Sequence, residues 1–75
     1  MITVYSKPNC MQCTFTKNYL ADKGVEFKEI DITTDPAAID HIKSLGFQAV
    51  PVVEAPGKEP FFGFRPDQLE ALITK

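Results

Sequence analysis

Ile2-Thr3-Val4-Tyr5-Ser6-Lys7-Pro8-Asn9-Cys10-Met11-Gln12-Cys13 decides the architecture of this chain. Ile2–Tyr5 is rich in β-branched and aromatic residues and reads as a short buried strand. Ser6–Asn9 is polar and contains proline, so it reads as a loop. The chain's two cysteines follow, three positions apart. On a helix that starts at Cys10, residues i and i+3 share a face, so the two sulfurs can meet. A helix start also carries unpaired N–H groups and a partial positive charge, both of which favour a thiolate. Such a pair beside a βαβ pattern reads as a thiol–disulfide redox site.

The sequence beyond this stretch supplies that pattern. The first helix is expected to run from Cys10 to about Lys23, with Gly24 as its left-handed cap and with Cys13, Phe15, Tyr19 and Leu20 as its apolar positions. Val25–Ile32 carries Val25, Phe27, Ile30 and Ile32 with charges between them, a second strand of irregular phase. Thr34-Asp35-Pro36 is a helix start, Ala38, Ile39, Ile42 and Leu45 make an amphipathic stripe, and Gly46 is the stop. Val52–Glu54 reads as a third strand, turned through Ala55–Lys58 into a hairpin with Pro60–Phe62. Gly63–Arg65 is a loop, and Pro66 opens a last helix buried through Leu69, Leu72 and Ile73. The order β-α-β-α-β-β-α is an α/β class: a four-stranded mixed sheet, parallel between its first two strands and antiparallel in the hairpin, flanked by three helices.

Composition narrows the function. The chain has 75 residues, which is one domain spanning 1–75. Eight basic and ten acidic residues give a net charge of −2 with no basic run, so nucleic acid is not an expected partner. No apolar run approaches the ~20 residues needed to span a bilayer. The start of the chain has neither the charged nor the long apolar region of a secretory signal. A cytoplasmic location is expected, where thiols are kept reduced and a cysteine pair is catalytic or metal-binding rather than structural. A bridge between Cys10 and Cys13 closes too short a loop to staple the fold. A zinc site would need about four ligands, and His41 is the one further strong candidate.

The whole order, with Cys-x-x-Cys after the first strand and Val50-Pro51 before the third, resembles the thioredoxin fold in its short, glutaredoxin-sized form. Within it, Cys10-Met11-Gln12-Cys13, Ala49-Val50-Pro51-Val52-Val53 and Gly63-Phe64-Arg65-Pro66-Asp67 resemble the NrdH-redoxin family. The resemblance implies a dithiol carrier that takes electrons from thioredoxin reductase and passes them to class Ib ribonucleotide reductase; a monomer is the default expectation for a soluble carrier. It implies no bound cofactor and no metal, only the redox-active disulfide Cys10–Cys13. Cys10 would be the nucleophile and Cys13 the resolving thiol. Met11, Gln12, Val50 and Pro51 would meet the substrate, with Pro51 expected in the cis form. Phe61, Phe62, Gly63, Phe64 and Arg65 would form or brace a docking surface; ordinary packing for the Phe residues and a salt bridge for Arg65 are the plainer roles. Gln12 equally suits an exposed helix position, and Lys7 is either a helper of the thiolate or a solvated charge. Asp67 would support the start of the last helix.

Glutathione-binding glutaredoxins typically carry Tyr or Phe inside the motif and a Gly-Gly-x-x-Asp-like stretch after the last strand. Met11-Gln12 and the bulky Phe64-Arg65 after Gly63 depart from both. Many NrdH-redoxins have Trp before the Gly-Phe-Arg segment, where this chain has Phe61-Phe62 and no Trp. The alternatives are a glutathione-dependent glutaredoxin and, in a different class, a cysteine-ligated metal or iron–sulfur module.

Overall fold

The structure, a computed structural model, describes residues 1–73. Its elements are β1 (Ile2–Ser6), α1 (Met11–Asp22), β2 (Phe27–Asp31), α2 (Pro36–Ser44), β3 (Val52–Glu54), β4 (Phe61–Phe62) and α3 (Pro66–Ile73). The strands form one sheet in the order β2-β1-β3-β4. β1 pairs with β2 in parallel, from Ile2 opposite Phe27 to Ser6 opposite Asp31. β1 pairs with β3 antiparallel, with Val4 opposite Val53 and Tyr5 opposite Val52, and β4 adds antiparallel to β3.

Helix ends follow their local chemistry. Asp35 caps α2 by accepting the Ala38 N–H at 3.4 Å, with Pro36 in the first turn. α1 ends where Gly24 N–H donates to Ala21 O and Val25 N–H donates to Leu20 O, both at 3.0 Å. α2 ends in the same way, Gly46 N–H to Lys43 O and Phe47 N–H to Ile42 O. Both glycines hold positive φ, +71° and +93°, as this paired closure requires.

Strand boundaries differ from the sequence expectation, two of them for a hydrogen-bonding reason. Ser6 belongs to β1 and is 1% exposed, because Glu29 on the neighbouring strand accepts its hydroxyl proton at 2.8 Å. β2 starts at Phe27 rather than Val25, because the Val25 N–H is used to close α1. β4 is only Phe61–Phe62. The apolar stripe of α1 also differs. Thr16, not Phe15, fills the buried position between Cys13 and Leu20. Its hydroxyl donates to Gln12 O at 2.9 Å, so a polar side chain can be fully buried there. Phe15 is 46% exposed.

Alternation along β1 divides the interior into two cores. Ile2 and Val4 pack with Leu20, Val53, Phe61 and Leu69 on one face. Tyr5 packs with Ala38, Ile42, Val50, Val52 and Cys13 on the other. Helix α1 serves both: Leu20 lies in the first core, and Cys13, about two turns earlier, lies in the second. The start of α1 therefore sits at the seam between the layers.

Lys17 reaches the same carboxylate that Ser6 contacts, at 2.7 Å. Lys17 first, and Ser6 second, hold the Glu29 carboxyl below its ordinary value of 4.5. A depressed folded-state value contributes stability above 4.5 and loses it as the pH falls through the folded value. The pair is partly exposed, so the contribution is at most about 1 kcal/mol. In urea titrations across acid pH, the gap between the wild-type and Glu29→Gln midpoints should hold steady near neutrality and close on acidification. A gap that widens in acid would contradict this assignment.

Candidate active site

The loop after β1 aims the first cysteine. Lys7, Pro8 and Asn9 are exposed, and Asn9 takes the left-handed conformation at φ +62°. Asparagine is one of the few residues that visit this region readily. Cys10 then turns back to extended geometry (φ −108°, ψ 106°) and becomes the N-cap of α1. Its Sγ accepts the Cys13 N–H at 3.2 Å, the position a Ser or Asp oxygen fills at most helix starts. Its carbonyl oxygen accepts from Thr14 N–H at 3.1 Å and Thr14 Oγ1 at 3.2 Å. The first turn of α1 carries no acidic residue, so no carboxylate neutralises the positive helix end that faces the sulfur. Among the described residues Lys7 makes no ion pair.

Cys10 and Cys13 are joined by a disulfide, with their Cα atoms 5.2 Å apart. Their surroundings differ. Cys10 is half-buried, while Cys13 is 1% exposed and walled by the α2-side core. Met11 between them is 72% exposed.

The facing wall comes from β3 and the loop before it. The Val50–Pro51 peptide bond is cis, and both residues are buried. Val52, the next residue, pairs with Tyr5 near the end of β1, which brings this peptide alongside the cysteine loop. Cys10 Sγ lies 3.9 Å from Val50 O. In the disulfide that sulfur carries no proton, so this is a contact; the thiol would have a proton to donate.

The third side is the segment after β4. Gly63, at φ +89°, donates its N–H to Pro51 O at 2.8 Å. Phe64 N–H donates to Gln12 Oε1 at 3.2 Å. The Phe64 ring packs 5.9 Å from the Phe15 ring and 6.2 Å from the Tyr19 ring, centroid to centroid. Gln12 is thus engaged within the chain, a role the sequence reading did not include.

The remaining site candidates are placed as follows. Phe61 is a core residue, 8% exposed, whereas Phe62 beside it is 42% exposed. A docking surface on β4 would therefore present Phe62 rather than Phe61. Arg65 is exposed, and its carbonyl accepts the Leu69 N–H as α3 begins. Asp67 lies in the first turn of α3. His41 Nε2 sits 3.1 Å and 3.2 Å from the two Glu54 carboxylate oxygens, and Tyr5 OH donates to Glu54 Oε1 at 3.1 Å. Burial first, then the Glu54 hydrogen bond, pushes the Tyr5 hydroxyl up to about 12, so it stays a proton donor throughout the neutral range. Among the described residues no three His, Cys, Asp or Glu side chains converge as a metal site.

The sequence reading names Phe62 among the docking aromatics but gives no role to Asn9 or Thr16. Only Asn9 left a local signal, an Asn placed directly before a capping residue.

The glutaredoxin family profile matches residues 2–59. The glutaredoxin-like protein NrdH of Lactococcus lactis subsp. cremoris is 42% identical over 72 residues, covering 96% of this chain and 99% of that one. The protein of the same name from Salmonella typhimurium is 39% identical over 71 residues, covering 95% and 86%. Among solved structures, the NrdH-redoxin of Escherichia coli superposes with a TM-score of 0.90 at 35% identity, covering 95% of this chain and 92% of that one.

The left-handed turn at Asn9 has a measurable role. Asn9→Gly should preserve the cysteine turn, whereas Asn9→Val should cost about 1–2 kcal/mol and misdirect the cap. Urea unfolding of the oxidised protein and the iodoacetamide alkylation rate of the reduced protein report the two effects. Equal behaviour of the two variants would exclude the turn from any role in presenting Cys10.

Proposed function

The chain belongs to the glutaredoxin family as an NrdH-like thiol–disulfide oxidoreductase, and on that premise we propose that it is a cytoplasmic dithiol carrier reduced by thioredoxin reductase and oxidised by class Ib ribonucleotide reductase. It would act as a single domain, 1–75, and as a monomer. The observation that carries the exchange chemistry is the position of Cys10 Sγ at the N–H of Cys13, with Cys13 itself buried one turn inside.

The reaction is two successive exchanges. The Cys10 thiolate attacks one sulfur of the acceptor disulfide; that S–S bond breaks, and the departing thiolate takes a proton. Cys13, as a thiolate, then attacks Cys10 Sγ, releasing as a thiolate the acceptor sulfur that Cys10 had attacked and leaving Cys10–Cys13 oxidised. Two electrons pass to the acceptor. A free thiol near 8.5 is only a few per cent ionised at neutral pH, and bringing it to about 7 ionises roughly half. The Cys13 N–H and the uncompensated helix start both act in that direction. Val50 supplies backbone groups along which an extended acceptor segment would lie, as in strand addition. Met11, the exposed residue of the motif, would border that segment.

Two observations favour a flavoprotein donor over glutathione. The motif interior is Met11-Gln12, and Gly63 is followed by Phe64 and Arg65, both departures from glutathione-binding relatives. The structurally similar Escherichia coli NrdH-redoxin is described as glutaredoxin-like with a thioredoxin-like activity profile. Among the described residues no helix is long and apolar enough to cross a membrane.

Cys10→Ser should reduce turnover to the uncatalysed rate. Cys13→Ser should instead accumulate a mixed disulfide visible by mass spectrometry, and normal turnover in either variant would refute the assigned roles. The donor is settled by reducing the oxidised protein with NADPH and thioredoxin reductase, or with NADPH, glutathione reductase and glutathione. Rapid reduction by the first system alone is expected; rapid reduction by glutathione alone would exclude the NrdH-type donor.

A further inference from the structure

We propose that Gln12 is a positioning residue for exchange with protein disulfides: its carboxamide oxygen clamps the Gly63–Phe64 turn to the cysteine turn and so sets the wall opposite Cys10. Gln12 is an exposed residue in the first turn of a helix, where nothing local demands a partner. Its Oε1 nevertheless meets the Phe64 N–H at 3.2 Å, across 52 positions of sequence. The atom facing an N–H must be an acceptor, which assigns oxygen rather than nitrogen to that position.

The contact closes a circuit around the disulfide. Gly63, next to Phe64, donates to Pro51 O at 2.8 Å, and Val50 O, next to Pro51, lies 3.9 Å from Cys10 Sγ. From Cys10 the helix leads back to Gln12, whose own carbonyl is held by the buried Thr16 hydroxyl at 2.9 Å. Gly63 suits the turn because its φ of +89° is strained for any side chain. The Phe64 ring, packed toward Phe15 and Tyr19, gives the turn an apolar seat, and the Gln12 hydrogen bond sets its height on that seat.

A small disulfide has only to reach Cys10. A protein segment must also fit between Val50–Pro51 and the cysteine turn, so the wall matters more to it; this step rests on the proposed strand addition at Val50. Loss of one partly exposed hydrogen bond should then cost about two- to tenfold in discrimination.

The test uses dithiothreitol as reductant, which removes any dependence on the identity of the reductase. The kcat/KM for insulin is divided by that for 2-hydroxyethyl disulfide in the wild type, Gln12→Leu and Gln12→Glu. Gln12→Leu lacks the acceptor, and its ratio should fall about two- to tenfold, mainly through KM for insulin. Gln12→Glu keeps an acceptor and should restore the ratio. Its charge alters the Cys10 thiolate equally for both substrates and so cancels. Hydrogen exchange at the Phe64 amide should accelerate in Gln12→Leu and slow again in Gln12→Glu. An unchanged ratio in Gln12→Leu, failure of Gln12→Glu to restore it, or an indifferent Phe64 amide would each overturn the proposal. Cys10→Ser in the same assay tests the nucleophile separately: residual turnover there would count against the exchange mechanism and leave the clamp to be judged by the Phe64 amide.

Discussion

The hydrogen bond from Cys13 N–H to Cys10 Sγ is the interaction around which the rest of the molecule is arranged. A helix start needs acceptors for its unpaired N–H groups, and oxygen normally supplies them. Here a sulfur takes that place, so the demand of the helix for a cap and the demand of the chemistry for a thiolate are met by one atom. The more negative form of sulfur is the better cap. The absence of acidic residues in the first turn leaves that preference uncontested. Asn9 turns the chain into this position, and the end of β1, held between β2 and β3, fixes where the turn occurs.

The division of the interior explains why the two sulfurs differ. Helix α1 runs from one core to the other, so its start emerges at the seam, where Cys10 can be reached from outside. One turn further in, Cys13 is buried in the core that also holds Tyr5, Ala38, Ile42, Val50 and Val52. The residue proposed to attack is half-buried and the one proposed to resolve is shielded from external disulfides, although both belong to the same four-residue motif.

Local signals made much of this legible in the sequence. Gly24, Gly46 and Asp35-Pro36 mark helix ends by backbone chemistry that needs no tertiary information, and the order of elements and the sheet follow from them. What escaped was decided at a distance. Thr16 is buried because a hydroxyl can return its proton to the helix backbone, which a count of apolar residues misses; Phe15 is left outside because it lies on the opposite side of α1. Adjacent Phe61 and Phe62 point to opposite faces of a strand, and composition alone does not say which face is covered. The contact between Gln12 and Phe64 spans most of the chain, and a polar residue in a first helical turn carries no mark of its distant partner.

The disulfide joins residues a single turn apart, and since Cys13 is 1% exposed, Cys10 is the member of the pair that offers surface to a partner. In the proposed carrier role, a pair this local would leave charged and spent forms with almost the same face for donor and acceptor. Each form would then compete with the other for the same seat on both. Flux through such a carrier is governed by the ratio of its two forms as much as by its abundance, and a docking surface that gripped harder would slow delivery by holding on to the product.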